Sequence, residues 1–229
     1  MAAAARRPGR ITPAMEDYLK AIYTLQQQVG EVTTSLLGEQ LGGFKPGSVT
    51  GMIKKLAEMN LVMHTPYQGV RLTDTGEKIA LEVVRHHRLL ELYLVEALGY
   101  SWDEVHEEAE ELEHYISAKM AARIAARLGQ PSFDPHGDPI PTLEGELPTS
   151  TGIRLSDLLV GVWAHIIRVS DQGGERLRYL AELGLVPGVA ICVTHRAPFD
   201  GPLSLQVDES PQILDRRLAD TIFVERREP

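Results

Sequence analysis

Cysteine is almost absent from this 229-residue chain, where Cys192 stands alone. One thiol cannot close an internal disulfide, so the chain fits a reducing cytoplasm. Cys192 lies in Ile-Cys-Val, the pattern of a buried strand and not of a nucleophile. No stretch approaches about 18 consecutive apolar residues, which excludes a membrane-spanning helix. The opening MAAAARRPGR has arginines but no leucine-rich core, and is expected to be a basic arm rather than a signal peptide. H-E-x-x-H is missing, so the zinc-peptidase pattern is excluded. Internal repeats are missing too.

Positive charge is scarce overall, with a net charge of −9, but it is unevenly spread. Residues 1–76 hold eight Lys/Arg against six Asp/Glu, residues 77–150 six against fifteen, and residues 151–229 nine against eleven. The acid gathers in the middle of the chain. The amino-terminal third is left free to approach an anion.

That third reads as three helices and a hairpin. Thr12-Pro13 opens a helix with Met15, Tyr18, Leu19, Ile22 and Leu25 on its apolar face. A short helix follows near 34–41 and stops at Gly42-Gly43. In FKPGSVTGMIKKLAEMN, Val49, Met52, Ile53 and Leu56 point inward, while Ser48, Thr50, Gly51, Lys54 and Lys55 are left outside. LVMHTPYQGVRLT then reads as two short strands around a turn. Helix, helix, helix, hairpin is the order of a winged helix-turn-helix. Small residues let a helix approach base edges and lysines meet phosphates. Ser48, Thr50 and Lys54 are therefore candidate DNA contacts, with Lys45 at the helix entry and Arg71 in the wing.

A helix from Thr75 to about Leu98 carries His87 and Glu91 one turn apart. The stretch Ser101–Leu128 has no proline or glycine and is expected to form one long helix, buried along Val105, Ala109, Leu112, Ile116, Ile124 and Leu128. Beside that stripe, His106, Glu110, Glu113 and His114 fall within about 100° of one another. Carboxylates and imidazoles massed on one face repel or shift their pKa values unless a cation sits among them. Divalent metals of hard or borderline character favour such donors. A solvated acidic face with incidental histidines is the plainer alternative.

Residues 131–153 are rich in proline and read as an irregular linker. Beyond it, VWAHIIRV, VAICVTH, LSLQVDE and TIFVE are strand-like runs around one short helix, suggesting an SH3-like barrel. The expected fold is mainly α with a small β domain. Its parts are a winged helix over 1–75, a helical domain over 76–130, the linker, and the barrel over 154–229.

In this order the segments TPAMEDYLKAIYTL, GSVTGMIKKLAEMNLV, LTDTGEKIALEVVRHHRLLELYL, HEEAEELEHYIS, DPHGDPIP and LAELGLVPGVAICV resemble the diphtheria toxin repressor family of metal-dependent transcriptional regulators. The likeness covers nearly the whole chain. It implies a cytoplasmic homodimer that binds a palindromic operator when divalent metal is bound, with the barrel as its SH3-like (FeoA-like) domain. It also implies a primary metal site of Asp17, Glu110, Glu113 and His114. The iron-responsive branch has methionine and cysteine at the first two positions. Carboxylates there are similar to the manganese-responsive branch, so Mn²⁺ is the expected cofactor, with Fe²⁺ the second choice. One departure is Lys20, where manganese regulators have a glutamate; a charged lysine cannot ligate. The resemblance further implies an ancillary site of His87, Glu91 and His106 with Gln172 and Glu175 from the barrel, Asp171 being the substitute. The competing class is an enzyme, a carboxylate-bridged dimetal oxidase built on Glu111-x-x-His114. Such a site needs a second Glu-x-x-His, and the chain has none.

Overall fold

The computed structural model describes residues 11–65, 69–149, 152–170, 173–208 and 210–226. The chain divides into two compact units, residues 1–86 with 141–146 and residues 87–140 with 147–229.

The first unit begins with α1 (Pro13–Val29), whose proline occupies the first turn, where no backbone N–H is needed. Its apolar stripe, Met15, Leu19, Ile22 and Leu25, is buried as the spacing requires. Thr33 caps α2 (Thr34–Gln40) by accepting the Leu36 N–H at 3.2 Å. Gly42 and Gly43 carry the chain through φ near +84° and +83° into α3 (Pro46–Glu58), which buries Val49, Ile53 and Leu56. Strands β1 (Val62–Thr65) and β2 (Gly69–Leu72) pair antiparallel to form the wing. Of the expected Pro-Tyr-Gln-Gly turn, residues 66–68 lie outside the described residues and Gly69 opens β2. Thr73 ties the wing to the next helix by accepting the Gly76 N–H and donating to Asn60 O. It thereby caps α4 (Asp74–Tyr93) two residues before the expected Thr75 start.

The second unit takes the rest of α4, which ends in a π-turn over 94–98 and left-handed Gly99. The long helix expected over 101–128 is two helices, α5 (Val105–Leu112) and α6 (Ala118–Arg127). The break needs neither proline nor glycine. The Ser117 side chain accepts the Met120 N–H at 3.2 Å and starts a new helix, so residues 113–116 turn instead of continuing. Leu112, placed on the buried stripe by the single-helix reading, is consequently exposed. Leu89, Leu90, Ala109, Ala121, Ile124 and Ile140 form the helical core.

The carboxy-terminal part of this unit is a six-stranded antiparallel sheet in the order β3-β8-β4-β5-β6-β7. Its strands are β3 (Ile153–Arg154), β4 (Trp163–Val169), β5 (Ala190–Arg196), β6 (Leu203–Val207), β7 (Ser210–Leu214) and β8 (Ile222–Arg226). Helix α7 (Gly174–Glu182) links β4 to β5, and α8 (Arg216–Ala219) precedes β8. Strand β7 escaped the sequence reading because it contains Pro211. It lies at the sheet edge, where a missing N–H is tolerated. Cys192 is buried on β5.

The first part of the proline-rich stretch is packed into the second unit. Asp134, His136, Gly137, Asp138 and Ile140 are buried, and the Val169 N–H donates to His136 O at 2.8 Å. Gly137 has φ +85°, and a Cβ there would stand 1.9 Å from Ile167 O. Only glycine allows this turn to close on β4.

Candidate metal centre

Helix α4 presents His87 and Glu91 on one face, and α5 brings His106 against them. His87 Nε2 lies 2.9 Å from Glu91 Oε1 and 3.1 Å from His106 Nδ1, and the third edge, His106 Nδ1 to Glu91 Oε1, is 3.2 Å. Metal–ligand bonds of about 2.1 Å put neighbouring donors in an octahedral shell about 3 Å apart. The triangle therefore has the dimensions of one face of such a shell. His87 and Glu91 are buried, so the donors are withdrawn from water before any ion arrives.

The other nitrogen of His87 is also engaged, 2.6 Å from Glu113 Oε2. A carboxylate there accepts the Nδ1–H and leaves Nε2 as the atom directed at the triangle. Glu113 is buried because α5 ends at Leu112 and the following turn directs its side chain inward. Its Oε1 lies 3.6 Å from His114 Nε2. Glu110, on the exposed side of α5, has Oε1 3.8 Å from His106 Nε2. Glu111, the residue on which the oxidase alternative depends, is exposed.

A further group completes the centre, and the sequence reading passed over it. Asp134 and His136 meet Glu91 in a buried cluster whose donor atoms all lie within 4.8 Å of one another. Asp134 Oδ1 accepts the backbone N–H groups of His136 and Asp138, each at 2.9 Å, which fixes the turn. His136 Nε2 donates to Trp102 O at 2.8 Å, so its Nδ1 is the atom left for a ligand. Glu91 Oε2, Asp134 Oδ2 and His136 Nδ1 are all buried without a hydrogen-bond partner among the described residues. Such orphans each cost about 1–3 kcal/mol. The available signal was Asp-Pro-His-Gly-Asp itself, three potential ligands in five residues held by a proline and a glycine.

The electrostatics reflect this crowding. Burial alone would raise the Glu91 pKa, but the imidazoles around it, His87 foremost, hold it well below the ordinary carboxylate range. Burial, reinforced by Glu91 and Asp138, pushes Asp134 up to about 7. Burial would lower His136, yet the Glu91 carboxylate and then Asp134 raise it to about 9.

Other candidates are placed as follows. Asp17 is half-buried on α1 of the first unit. Glu175 is exposed at the start of α7, while Gln172 and Asp171 lie outside the described residues. A Cβ at Gly174 would stand 3.1 Å from Asp103 O, and Arg178 Nε donates to Asp103 Oδ2 at 3.1 Å. This end of α7 therefore packs three residues from His106. On the first unit, Lys45, Ser48, Lys54 and Arg71 are exposed. The Thr50 hydroxyl donates to Pro46 O at 2.9 Å, leaving its oxygen to act as an acceptor.

Comparison with known proteins matches three successive segments of the chain. Residues 10–70 match the iron dependent repressor N-terminal DNA binding domain. Residues 73–142 match the metal binding and dimerisation domain of the same repressors, and residues 153–226 the FeoA domain. The iron-dependent repressor IdeR of Mycobacterium leprae is 33% identical over 191 residues, 78% of this chain and 82% of its own. The regulator MntR of Bacillus subtilis is 35% identical over 113 residues, covering 49% of this chain and 78% of its own. A solved manganese-dependent transcriptional repressor in complex with manganese superposes with a TM-score of 0.85 at 41% identity, over 93% of this chain and 100% of that one.

Proposed function

The chain belongs to the diphtheria toxin repressor family of metal-dependent transcriptional regulators, and from that footing we propose that it is a manganese-responsive, non-enzymatic regulator acting in the cytoplasm. Residues 1–75 read a palindromic operator, residues 76–130 bind metal and join two copies, and residues 154–229 form the SH3-like domain. The observation that carries this reading is the triangle of His87, Glu91 and His106, backed by Glu113. No described helix is long and apolar enough to cross a membrane.

Asp17, Glu110, Glu113 and His114 form the primary site in this proposal. His87, Glu91 and His106 form the ancillary site, with Gln172 and Glu175 as its barrel ligands. A bound divalent cation supplies positive charge and a fixed coordination shell. The remaining steps belong to the protein. Without that charge Asp17, Glu110 and Glu113 would repel one another. With that charge present, the same residues would hold together as ligands and bias the two winged helices toward one spacing. Half-sites on one DNA face stand about 34–36 Å apart, so control of spacing is control of affinity.

The test is a manganese titration of the purified protein, read by fluorescence anisotropy on a palindromic duplex recovered by selection. Affinity should rise steeply with Mn²⁺; binding that ignores the metal overturns the reading.

Two substitutions probe its parts. Lys54, like Ser48, is exposed on α3, so Lys54→Ala should weaken binding to every sequence alike and flatten its salt dependence by about one phosphate contact. An unchanged slope removes Lys54 from the interface. Glu110→Cys puts a soft donor in place of a hard one and should shift the activation profile from Mn²⁺ toward Fe²⁺, Co²⁺ or Zn²⁺. Equal profiles across these ions would exclude Glu110 from the ligand set.

A further inference from the structure

The wing strand β2 is held along both of its edges. One edge pairs with β1. From the other edge the Val70 N–H donates to Val32 O at 2.9 Å, and the Leu72 N–H donates to Gln26 Oε1 at 2.9 Å. Gln26 stands near the end of α1, and Val32 in the segment that joins α1 to α2. Gly69 permits the approach. Its φ is +82°, and a Cβ there would stand 2.6 Å from Val32 O. Val32, Val70 and Leu72 share one buried core with Leu25 of α1. A two-stranded ribbon has little stability of its own, so β1 and β2 take their setting from what β2 is bonded to. We propose that Gln26 is a positioning residue for operator binding, which makes the wing strand bearing Arg71 follow α1.

The construction of α1 suits this role. Between Asp17 and Gln26 the helix contains neither proline nor glycine, so nothing in that stretch invites a kink. Nine residues at 1.5 Å each separate the two positions by about 14 Å along the axis and place them on opposite sides of it. One side of the rod therefore carries the proposed metal ligand and the other carries the wing. Arg71 lies between Val70 and Leu72 and is exposed, as alternation along a strand requires. Anchoring the two flanking N–H groups sets where its guanidinium points. Of the two anchors only the Gln26 bond is made by a side chain, and its partner is a donor, so the amide oxygen is the atom that counts.

This inference rests on the metal-responsive reading above, in which Asp17 is a ligand, and the experiment separates the two. Full-length proteins saturated with Mn²⁺ are titrated onto the selected duplex at several salt concentrations. Arg71→Ala should reduce the salt slope by about one phosphate contact in the unsubstituted chain. Gln26→Leu, which removes the acceptor, should produce the same reduction, and adding Arg71→Ala to it should change nothing more. Gln26→Glu keeps an acceptor oxygen at the same reach and should restore the Arg71 effect. Mn²⁺ bound per subunit, counted by equilibrium dialysis, should be equal in all of these proteins. Hydrogen exchange gives a second reading: Mn²⁺ should slow the backbone amides of residues 69–72 in the unsubstituted protein and not in Gln26→Leu. If Gln26→Leu does not fold, Gln26→Asn, one carbon too short for the bond, and exchange in the unsubstituted protein decide the matter. An Arg71→Ala effect that is the same with and without the Gln26 acceptor, or missing from both, overturns the proposal. So does a Gln26→Glu protein that behaves as Gln26→Leu, or wing amides that ignore the metal. Manganese-dependent DNA binding by the unsubstituted protein would then leave the functional reading standing. Binding that ignores manganese removes both.

Discussion

Glu113→Ala should abolish the manganese response, raising the metal concentration needed for operator binding by at least about 100-fold. One buried carboxylate does two things here, lying 2.6 Å from His87 Nδ1 and 3.6 Å from His114 Nε2. Losing a carboxylate that orients a ligating imidazole typically costs 10–100-fold in metal affinity, and Glu113 is itself a proposed ligand. Removing one member of a buried polar pair also leaves its partner unsatisfied, at a further cost of about 1–3 kcal/mol. Glu111→Ala is the matched control, an exposed glutamate two residues away. The measurement is the manganese titration read by DNA binding. A midpoint for Glu113→Ala within a few-fold of the control would dismiss Glu113 from the centre.

The second large effect is on stability. Gly137→Ala should destabilise the protein by about 2–4 kcal/mol, the sum of a left-handed backbone penalty of about 1 kcal/mol and an overpacking cost of about 1–3 kcal/mol. The added Cβ would meet Ile167 O at 1.9 Å and Arg168 Cα at 2.8 Å, backbone atoms that cannot swing aside. For a chain of this length the melting temperature should fall by about 5–15 °C. Gly161→Ala separates the two terms. That glycine has φ +82° with nothing within 4 Å of the added atom, so it carries the backbone penalty alone. Differential scanning calorimetry of the metal-free proteins should rank Gly137→Ala well below Gly161→Ala. Equal melting temperatures would mean that the turn and β4 are not locked together.

Periodicity and punctuation already determined much of this protein. Met15, Leu19, Ile22 and Leu25 recur at helical spacing, and only one face of α1 can bury them. Val49, Ile53 and Leu56 similarly orient α3 and leave Ser48 and Lys54 outside. Single-chain spacing also brought out His87–Glu91 and the His106 to His114 group, because ligands on one helix keep a fixed angular relation. The order of six motifs was enough to indicate the family. What spacing could not supply was anything arising between elements. The break after Leu112 depends on Ser117 capping a new helix, a local competition that helix propensity alone decides wrongly. That break directs Glu113 to His87, twenty-six residues away in sequence, and leaves Glu110 at the surface. Asp134 and His136 sit in a stretch whose composition says linker. They become candidate ligands only because Gly137 lets the turn reach β4 and Trp102 O fixes the imidazole. Sequence period reports which residues share a face, whereas a metal centre is set by which faces meet, and only packing settles that.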